Sequence, residues 1–565
     1  MEGFSRRIRQ QLNEQNRRKE EFKRQAQEEK ERGLGRRIVA PDPTGEGYVL
    51  IGNRLVPYAY IDFHTCYIGK TGSGKNLGGF DRHQLSYFQL QTTKPKYFLH
   101  LLAKENPEEQ LALKALARRN GLDFGKYRID RLDRDSIAIN IGGTIDDSTS
   151  PRLTIEQFSQ AMFPKGKGSN EFFPTTGAQI TSMLILGLRM AKGRDFGLPE
   201  IVDVGLGGMA GIIECMRQTE RGKDLVQAYM PKGDKMPETT NSINATIKAQ
   251  VTHLEAAANV EYIIRTKAPQ RLLTVRQLIT GASRSTIFFA PTEFMGTYQP
   301  ILDFILKLVG STITSLSADN SRIVTLFVDE LPVFGYLKAL PQLVTLARGT
   351  GYRQVMVFQD MTDLDRLYDK QAESMVANCS GFGIFNGSSP RTTKFISDLM
   401  GGKNVYTATP SFSDTSINYK FERNLKPNLE AAAIYELNPA SKQTGIEAYV
   451  ALPNCFGGVQ RIHIEAEEIE RQMDWFRNLA QEQQILDASP AQQIKRPPLF
   501  SNPERMRILR AAFDSNRIYE AYMKGYDKEP ERYKIRQLSY QIMKKIIDKD
   551  SSDLNNIMRN YQDGD

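Results

Sequence analysis

The pattern of apolar and polar residues predicts an α/β protein, and two apolar runs stand out because of the residues directly after them. Residues 64–68 form a short predicted strand that leads into a glycine-rich loop. Residues 323–328 form a second predicted strand, which is apolar except for Thr325. Such a sequence is typical of a strand covered on both faces in a parallel sheet. Asp329 and Glu330 come next, at the carboxyl end where open α/β sheets bind ligands. The two runs therefore indicate where the chemistry of this chain lies.

The glycine-rich loop fits the pattern G-x-x-x-x-G-K, which cradles phosphate groups. It consists of Gly69, Lys70, Thr71, Gly72, Ser73, Gly74, Lys75 and Asn76. The glycines allow a tight turn whose N–H groups converge on an anion, and the helix after the loop presents its positive end to the same anion. Lys75 is expected to reach the β- and γ-phosphates. A glycine-rich turn with a chance lysine is the alternative, but the flanking strand and the helical run at 80–90 favour ATP binding.

Asn76 departs from this pattern, because the residue after the lysine is normally Ser or Thr, whose hydroxyl binds magnesium. An amide oxygen can also bind a hard cation, but it lies one atom further out. We expect Asn76 and Asp329 to be the residues that hold Mg²⁺. Nucleotide binding should survive the change, whereas hydrolysis requires a metal that bridges the β- and γ-phosphate oxygens.

Asp329 and Glu330 form a predicted catalytic pair. Asp329 can hold magnesium through water, and Glu330 can orient or deprotonate the attacking water. The alternative interpretation is that the two acidic residues only cap the start of a helix. Taken alone, Asp-Glu after an apolar run is a weak signal of catalysis. Together with the phosphate loop they predict an NTPase.

Two further residues flank the strand predicted at 354–358. Gln359 comes directly after it and is placed to sense the γ-phosphate. Arg348 precedes it, and in ring ATPases an arginine in this region reaches the nucleotide of the neighbouring subunit. An ordinary cation at a helix C-terminus, beside Gly349, explains Arg348 equally well. Both interpretations stay open.

Several short motifs share their order and spacing with one protein family. They are Phe-Val-Asp-Glu-Leu-Pro-Val-Phe-Gly at 327–335, Gly-Tyr-Arg at 351–353, Phe-Gln-Asp at 358–360 and Leu-Met-Gly-Gly at 399–402. They resemble the TraG/TraD-like coupling ATPases of conjugation and type IV secretion. The likeness covers most of residues 50–465 and is most specific over 327–405.

The resemblance implies a RecA-like P-loop NTPase core with a mainly parallel sheet, an inserted all-α domain and helical terminal extensions. It also implies a homo-hexameric ring that passes DNA, single-stranded and with its relaxase, to type IV secretion components. In that family's scheme Lys75 binds phosphate, Asp329 and Glu330 are the acidic pair, Gln359 is the sensor and Arg348 is the arginine finger.

The chain departs from the family in three places. Asn76 replaces the hydroxyl residue. The turn that usually reads Asp-Pro-Lys-Gly-Glu is missing from residues 96–105. The family usually begins with transmembrane helices, and we expect none here, because no apolar run approaches the roughly 20 residues needed to span a bilayer.

Composition limits the number of domains and the compartment. A chain of 565 residues is too long for one core, and a net charge of +9 permits nucleic-acid binding without requiring it. The cysteines form no CxxC pair, and no signal-peptide core is present, so we expect a cytoplasmic protein. We predict a charged helical arm at 1–37, core segments at 38–147 and 258–465, an all-helical insertion at 148–257 and a helical C-terminal region at 466–565. Membrane contact would come only through partners or through the arm, at the inner face of the cell membrane.

Three functions are compatible with these features. The first is an ATP-dependent coupling protein that recruits and moves conjugative DNA or a relaxase–DNA complex. The second is a double-stranded DNA translocase of the FtsK/HerA type, against which the helical insertion argues. The third is a nucleotide-binding substrate adaptor with weak or no hydrolysis, which Asn76 and the missing turn favour.

Overall fold

Strands and helices alternate along most of the described chain. The computed structural model describes residues 37–487, except 39, 62, 131, 164–171, 209–211, 213–237, 316–320, 347, 388, 414–415 and 453–458. The strands are β1 (Arg37–Ile38), β2 (Tyr48–Ile51), β3 (Arg54–Pro57), β4 (His64–Ile68), β5 (Lys96–Leu102), β6 (Asp123–Tyr127), β7 (Ala138–Ile139), β8 (Leu272–Leu273), β9 (Arg284–Phe289), β10 (Ile323–Val328), β11 (Tyr352–Phe358), β12 (Cys379–Phe385), β13 (Gly402–Ser413), β14 (Ser416–Pro427), β15 (Ile446–Ala451) and β16 (Val459–Ile464). The α-helices are α1 (Asp81–Phe88), α2 (Pro107–Arg119), α3 (Ile141–Asp146), α4 (Pro151–Met162), α5 (Phe172–Lys192), α6 (Leu198–Leu206), α7 (Glu238–His253), α8 (Glu255–Lys267), α9 (Met295–Ser315), α10 (Ala339–Leu346), α11 (Met361–Tyr368), α12 (Lys370–Ala377), α13 (Pro390–Leu399), α14 (Ala431–Tyr435) and α15 (Ala466–Leu486).

A nine-stranded sheet forms the centre of the described chain, in the order β16-β15-β12-β4-β11-β10-β5-β9-β6. The strands from β12 to β6 are parallel to one another, and β15 and β16 add an antiparallel edge. Every residue of β5 and β10 is buried, which explains their nearly continuous apolar sequences. The predicted α/β fold with a mainly parallel sheet is confirmed.

Side chains of β10 alternate between two separate cores. Val324, Leu326 and Val328 belong to the larger core, which the helices from α3 to α12 cover. Ile323 and Phe327 belong to a second core on the opposite face, beneath α1, α2 and α15. Helices therefore cover both faces of the sheet, as is typical of parallel sheets.

The register brings the carboxyl ends of the central strands to one edge of the sheet. Val328 at the end of β10 pairs with Leu101 of β5 and with Met356 of β11. Ile68 at the end of β4 pairs with Phe358 of β11. The segments after β4, β10 and β11 therefore emerge side by side.

The helical insertion leaves and re-enters the core at adjacent points. Strands β7 and β8 pair in parallel, with Ala138 opposite Leu272 and Ile139 opposite Leu273. Helices α3 to α8 lie between these two strands in the sequence, and most of their buried apolar residues join the larger core. The predicted limits of the insertion, 148 and 257, fall inside this helical stretch and stay predictions.

The remaining described elements lie at the periphery. Strands β1 to β3 form a small sheet, and β13 pairs with β14 in a long antiparallel hairpin that the hydrophobic pattern does not predict. The predicted N-terminal arm, but for its last residue, and the chain after residue 487 lie outside the described residues. Within the described ranges, no helix is both long and apolar enough to cross a membrane.

Candidate functional site

The phosphate loop connects β4 to a helix and depends on two left-handed glycines. All five residues of β4 are buried, so the strand anchors the loop in the core. Gly72 has a φ of 76° and Gly74 a φ of 82°, a region that other residues rarely adopt. A Cβ atom on Gly74 would lie 2.7 Å from Cδ1 of Ile446 in β15. The loop therefore needs glycine at 74 both for its turn and for the close approach of β15.

The helix after the loop begins as a π-helical turn, at Asn76–Phe80, and continues as α1. The backbone N–H of Asp81 donates to the carbonyl oxygen of Asn76, five residues earlier. Such a turn holds one residue more than an α-helical turn and is frequently found at functional sites. The sequence predicts the helix but not this irregular start.

The acidic pair lies where the sequence places it, at the carboxyl end of β10. The N–H of Asp329 donates to the carbonyl oxygen of Leu101 at 3.1 Å, which extends the sheet by one bond beyond the strand. Asp329 and Glu330 are both buried. Desolvation raises the pKa of Asp329, with a further contribution from Glu330, although a hydrogen bond from Asn76 counteracts it.

Glu330 adopts a strained backbone conformation that turns its side chain toward the phosphate loop. Its φ of 58° lies in the left-handed region, which is uncommon for a residue other than glycine. Its Oε2 atom lies 3.7 Å from Nζ of Lys75. Desolvation lowers the pKa of Lys75, and the carboxylates of Glu330 and Asp329 oppose that shift. The loop's cation and the pair's second carboxylate thus face each other.

Asn76 contacts Asp329 directly. The Nδ2 atom of Asn76 donates to Oδ1 of Asp329 over 2.9 Å. The amide oxygen of Asn76 and the carboxylate of Asp329 are hard oxygen donors of the kind that Mg²⁺ takes, with water and phosphate oxygens completing its octahedron. The donor set fits magnesium, and these two residues are the ones that would hold it; that assignment stays a prediction.

Gln359 also contacts the phosphate loop. Its Oε1 atom accepts a hydrogen bond from Oγ1 of Thr71 at 2.9 Å. The contact is a consequence of the sheet order, because β11 lies between β4 and β10. The next residue, Asp360, caps α11 and accepts bonds from the N–H groups of Thr362 and Ser389. The structure therefore brings the predicted sensor to the predicted loop.

Arg348 is the predicted site residue that the structure does not bring to the others. Its backbone lies in a 3₁₀ turn, Arg348–Thr350, before the first residue of β11. Gln359 comes after the last residue of that strand, so the two positions lie at opposite edges of the sheet, roughly 20 Å apart. The backbone at Arg348 is thus remote from the phosphate loop of its own chain, and the role of Arg348 as a finger for a neighbouring subunit stays a prediction.

Two further carboxyl groups near Asp329 escape the sequence analysis. Desolvation and the charge of Asp329 raise the pKa of Asp81 to about 7. Desolvation, with Asp81 and Asp329, also raises the pKa of Glu109, in the first turn of α2. Only the position of Glu109 could have pointed to it, because α2 comes directly after β5 and β5 pairs with β10.

A phosphate cradle beside a buried acidic pair, at the carboxyl edge of a parallel sheet, defines the class of protein. The fold is that of a RecA-like P-loop NTPase. Comparison with known proteins narrows the class further. Residues 323–439 match the family model described as the TraM recognition site of TraD and TraG. No curated protein matches the chain.

Solved structures of one coupling protein share the fold. The unbound monoclinic form of the bacterial conjugative coupling protein TrwBdeltaN70 gives a TM-score of 0.54 at 14% identity, over 75% of this chain and 90% of that chain. The plasmid coupling protein TrwB in complex with ADP and Mg²⁺ gives 0.52 at 14% identity, over 74% and 89%. The complex of TrwB with a non-hydrolysable ATP analogue gives 0.50 at 15%, over the same shares. The predicted resemblance to the TraG/TraD-like coupling proteins is confirmed, in sequence over residues 323–439 and in fold over most of the chain.

Proposed function

We propose that this chain is an ATP-dependent coupling protein that recruits conjugative DNA, or a relaxase–DNA complex, and passes it to a type IV secretion channel. The observation that carries the proposal is the pairing of Lys75 with Glu330 and of Asn76 with Asp329, at 3.7 Å and 2.9 Å. The match of residues 323–439 to the TraM recognition site of TraD and TraG supports the coupling function.

ATP and Mg²⁺ are the proposed nucleotide and metal. TrwB is described in complex with ADP and Mg²⁺ and with an ATP analogue, and this chain shares its fold. Lys75 would exchange its contact with Glu330 for phosphate oxygens, which form stronger charge-assisted hydrogen bonds. Asn76 and Asp329 would hold the metal, whose charge offsets that of the phosphates.

Hydrolysis is proposed to depend on Glu330. Loss of its contact with Lys75 on nucleotide binding would free the Glu330 carboxylate to act on water. Gln359 contacts the loop through Thr71, and it is proposed to respond to the γ-phosphate. Activity is proposed to require a homo-hexamer in which Arg348 reaches the next subunit. We place the working complex in the cytoplasm, at the inner face of the cell membrane, held there by secretion partners.

The test is a magnesium-dependent ATPase assay with and without single-stranded DNA. Stimulation by single-stranded DNA supports the coupling function, whereas preference for duplex DNA favours a translocase of the FtsK/HerA type. Nucleotide binding without turnover favours the adaptor.

The Lys75→Ala variant should lose detectable binding of a fluorescent ATP analogue, because Lys75 is the residue that the pattern G-x-x-x-x-G-K places at the β- and γ-phosphates. Titration of that analogue measures the effect. Lys94→Ala is the matched control, since Lys94 pairs with Glu46 outside the loop. Equal binding by Lys75→Ala and the control would remove the basis of the proposed function.

A further inference from the structure

Helix α15, more than 380 residues from the phosphate loop in sequence, holds the helix that comes after the loop. Arg82 of α1 is 2% exposed. Its Nη2 atom donates to Oε1 of Glu468 at 2.6 Å, and its Nε atom donates to Oε1 of Gln472 at 2.6 Å. Its Nη1 atom donates to the carbonyl oxygen of Gly52 at 3.3 Å. A buried guanidinium needs such partners, so this one fixes α15 against α1.

Gln472 extends the linkage to the π-helical turn. Its Nε2 atom donates to the carbonyl oxygen of Leu77 at 3.4 Å, a long hydrogen bond. Leu77 lies next to Asn76, whose amide meets Asp329. A π-helical turn is rare. Leu77 and Asn76 belong to the same turn, so a change in the contact at Leu77 acts on the turn that carries Asn76.

We propose that Arg82, Glu468 and Gln472 are positioning residues: through them α15 holds the π-helical turn in the shape that presents Asn76 to the magnesium–nucleotide complex. The inference rests on the proposed nucleotide site. Because coupling free energies are reciprocal, nucleotide bound at the loop should also tighten the docking of α15. Helix α15 is thereby a means of regulating the nucleotide site.

The chain carries its own reporter for this coupling. Trp475, the sole tryptophan, lies on α15 three residues after Gln472. It is half-buried, packs on the second core and contacts Phe476 with ring centroids 5.9 Å apart. Its fluorescence should therefore change when α15 shifts against α1.

The experiment compares Gln472→Glu and Glu468→Gln with the full-length wild type. Gln472→Glu keeps an acceptor for Arg82 but sets a carboxylate against the carbonyl oxygen of Leu77. Glu468→Gln keeps the shape and removes the charge that pairs with Arg82. Glu482→Gln is the control, because Glu482 also lies on α15 but pairs with Arg119 at an exposed position.

We expect both test variants to bind a fluorescent ATP analogue with Mg²⁺ about fivefold more weakly, the effect of losing one hydrogen bond. Nucleotide should change Trp475 emission in the wild type and in Glu482→Gln, and less in the test variants. Circular dichroism confirms that each variant is folded, and Arg82→Lys provides a third test if Glu468→Gln is not.

The outcomes separate the two proposals. A wild type that binds no nucleotide overturns the proposed function. A wild type that binds nucleotide, with test variants that match it in affinity and Trp475 response, overturns the role of α15 and leaves the proposed function standing.

Discussion

At residue 76 an amide takes the place of a hydroxyl, and its partner is the first carboxylate of the acidic pair. The hydrogen bond from Asn76 to Asp329 measures 2.9 Å and counteracts the desolvation that raises the pKa of Asp329. The amide thus does two things: it favours the ionised form of Asp329, and it carries an oxygen that can bind metal. A hydroxyl at this position would bind the metal at a shorter reach.

Replacement of Asn76 by Thr should lower the magnesium concentration needed for half-maximal ATPase activity by about fivefold, equivalent to roughly 1 kcal/mol. The hydroxyl lies closer to the distance of about 2.1 Å that Mg²⁺ prefers, and Asp329 is released to the metal. Magnesium titrations of ATPase activity measure the change. Asn76→Ala, which offers no ligand, is the control and should shift the titration the other way. A fall in activity for Asn76→Thr would mean that the loop is adapted to the amide.

Replacement of Glu330 by Gln should slow hydrolysis by about 10²- to 10⁴-fold, since the amide cannot take a proton from water. Nucleotide affinity should hold or increase, because Lys75 loses the carboxylate that lies 3.7 Å from its Nζ atom. Single-turnover kinetics and a binding titration separate the two quantities. A large loss of affinity with unchanged turnover would assign Glu330 to binding instead of catalysis.

At the scale of elements, the phosphate loop is held by the strands around it. The buried strand β4 leads into the loop, and β15 packs against the loop where Ile446 lies next to Gly74. The carbonyl oxygen of Asn386, just after β12, accepts from the N–H of Lys70 at 3.2 Å. The loop is therefore preorganised by the sheet, which lowers the conformational cost of binding phosphate.

Gly74→Ala should destabilise the protein by about 1–3 kcal/mol and weaken nucleotide binding, because the new Cβ meets Ile446 in addition to the left-handed φ. Gly72→Ala is the matched control: its φ is also positive, at 76°, but nothing lies within 4 Å of the added atom. The difference between the free energies of unfolding of the two variants in urea measures the effect of the contact with β15. Equal destabilisation would show that backbone strain alone accounts for the glycines.

At the scale of the whole molecule, the backbone of Arg348 is remote from the other predicted site residues of the same chain. Arg348 and Gln359 lie at opposite ends of β11, so an arginine finger from Arg348 must act on the nucleotide of another subunit. In a head-to-tail ring the amino edge of one sheet can approach the carboxyl edge of the next, and a closed ring completes every site.

Arg348→Ala should therefore reduce turnover by about 10³-fold without preventing assembly, as expected for removal of an arginine finger. Size-exclusion chromatography with a non-hydrolysable nucleotide and single-stranded DNA checks assembly, which should approach a hexamer.

Mixing two inactive variants provides a sharper test of whether Arg348 acts between subunits. Lys75→Ala and Arg348→Ala subunits are each expected to be inactive alone, yet a mixed ring contains interfaces at which both residues are intact. Partial recovery of activity on mixing supports action between subunits. No recovery from mixed assemblies of proven composition would assign Arg348 to a structural role at the end of its helix.

The sequence by itself determined the parts of this protein that depend on neighbours along the chain. The glycines of the loop are needed for their own φ angles, and the apolar run at 323–328 reports burial on both faces, so the loop, the acidic pair and the α/β class could be predicted from residue types and spacing. The family resemblance supplied the fold in more detail, from motifs that are also local.

Only the tertiary structure decided which of these parts touch. Asn76 and Asp329 lie 253 positions apart, and Arg82 and Glu468 lie 386 apart. Such contacts depend on strand order and register, which no local pattern records. The π-helical turn, the left-handed Glu330 and the pKa of Asp81 of about 7 likewise arise from packing and desolvation, which exist only once distant segments have come together.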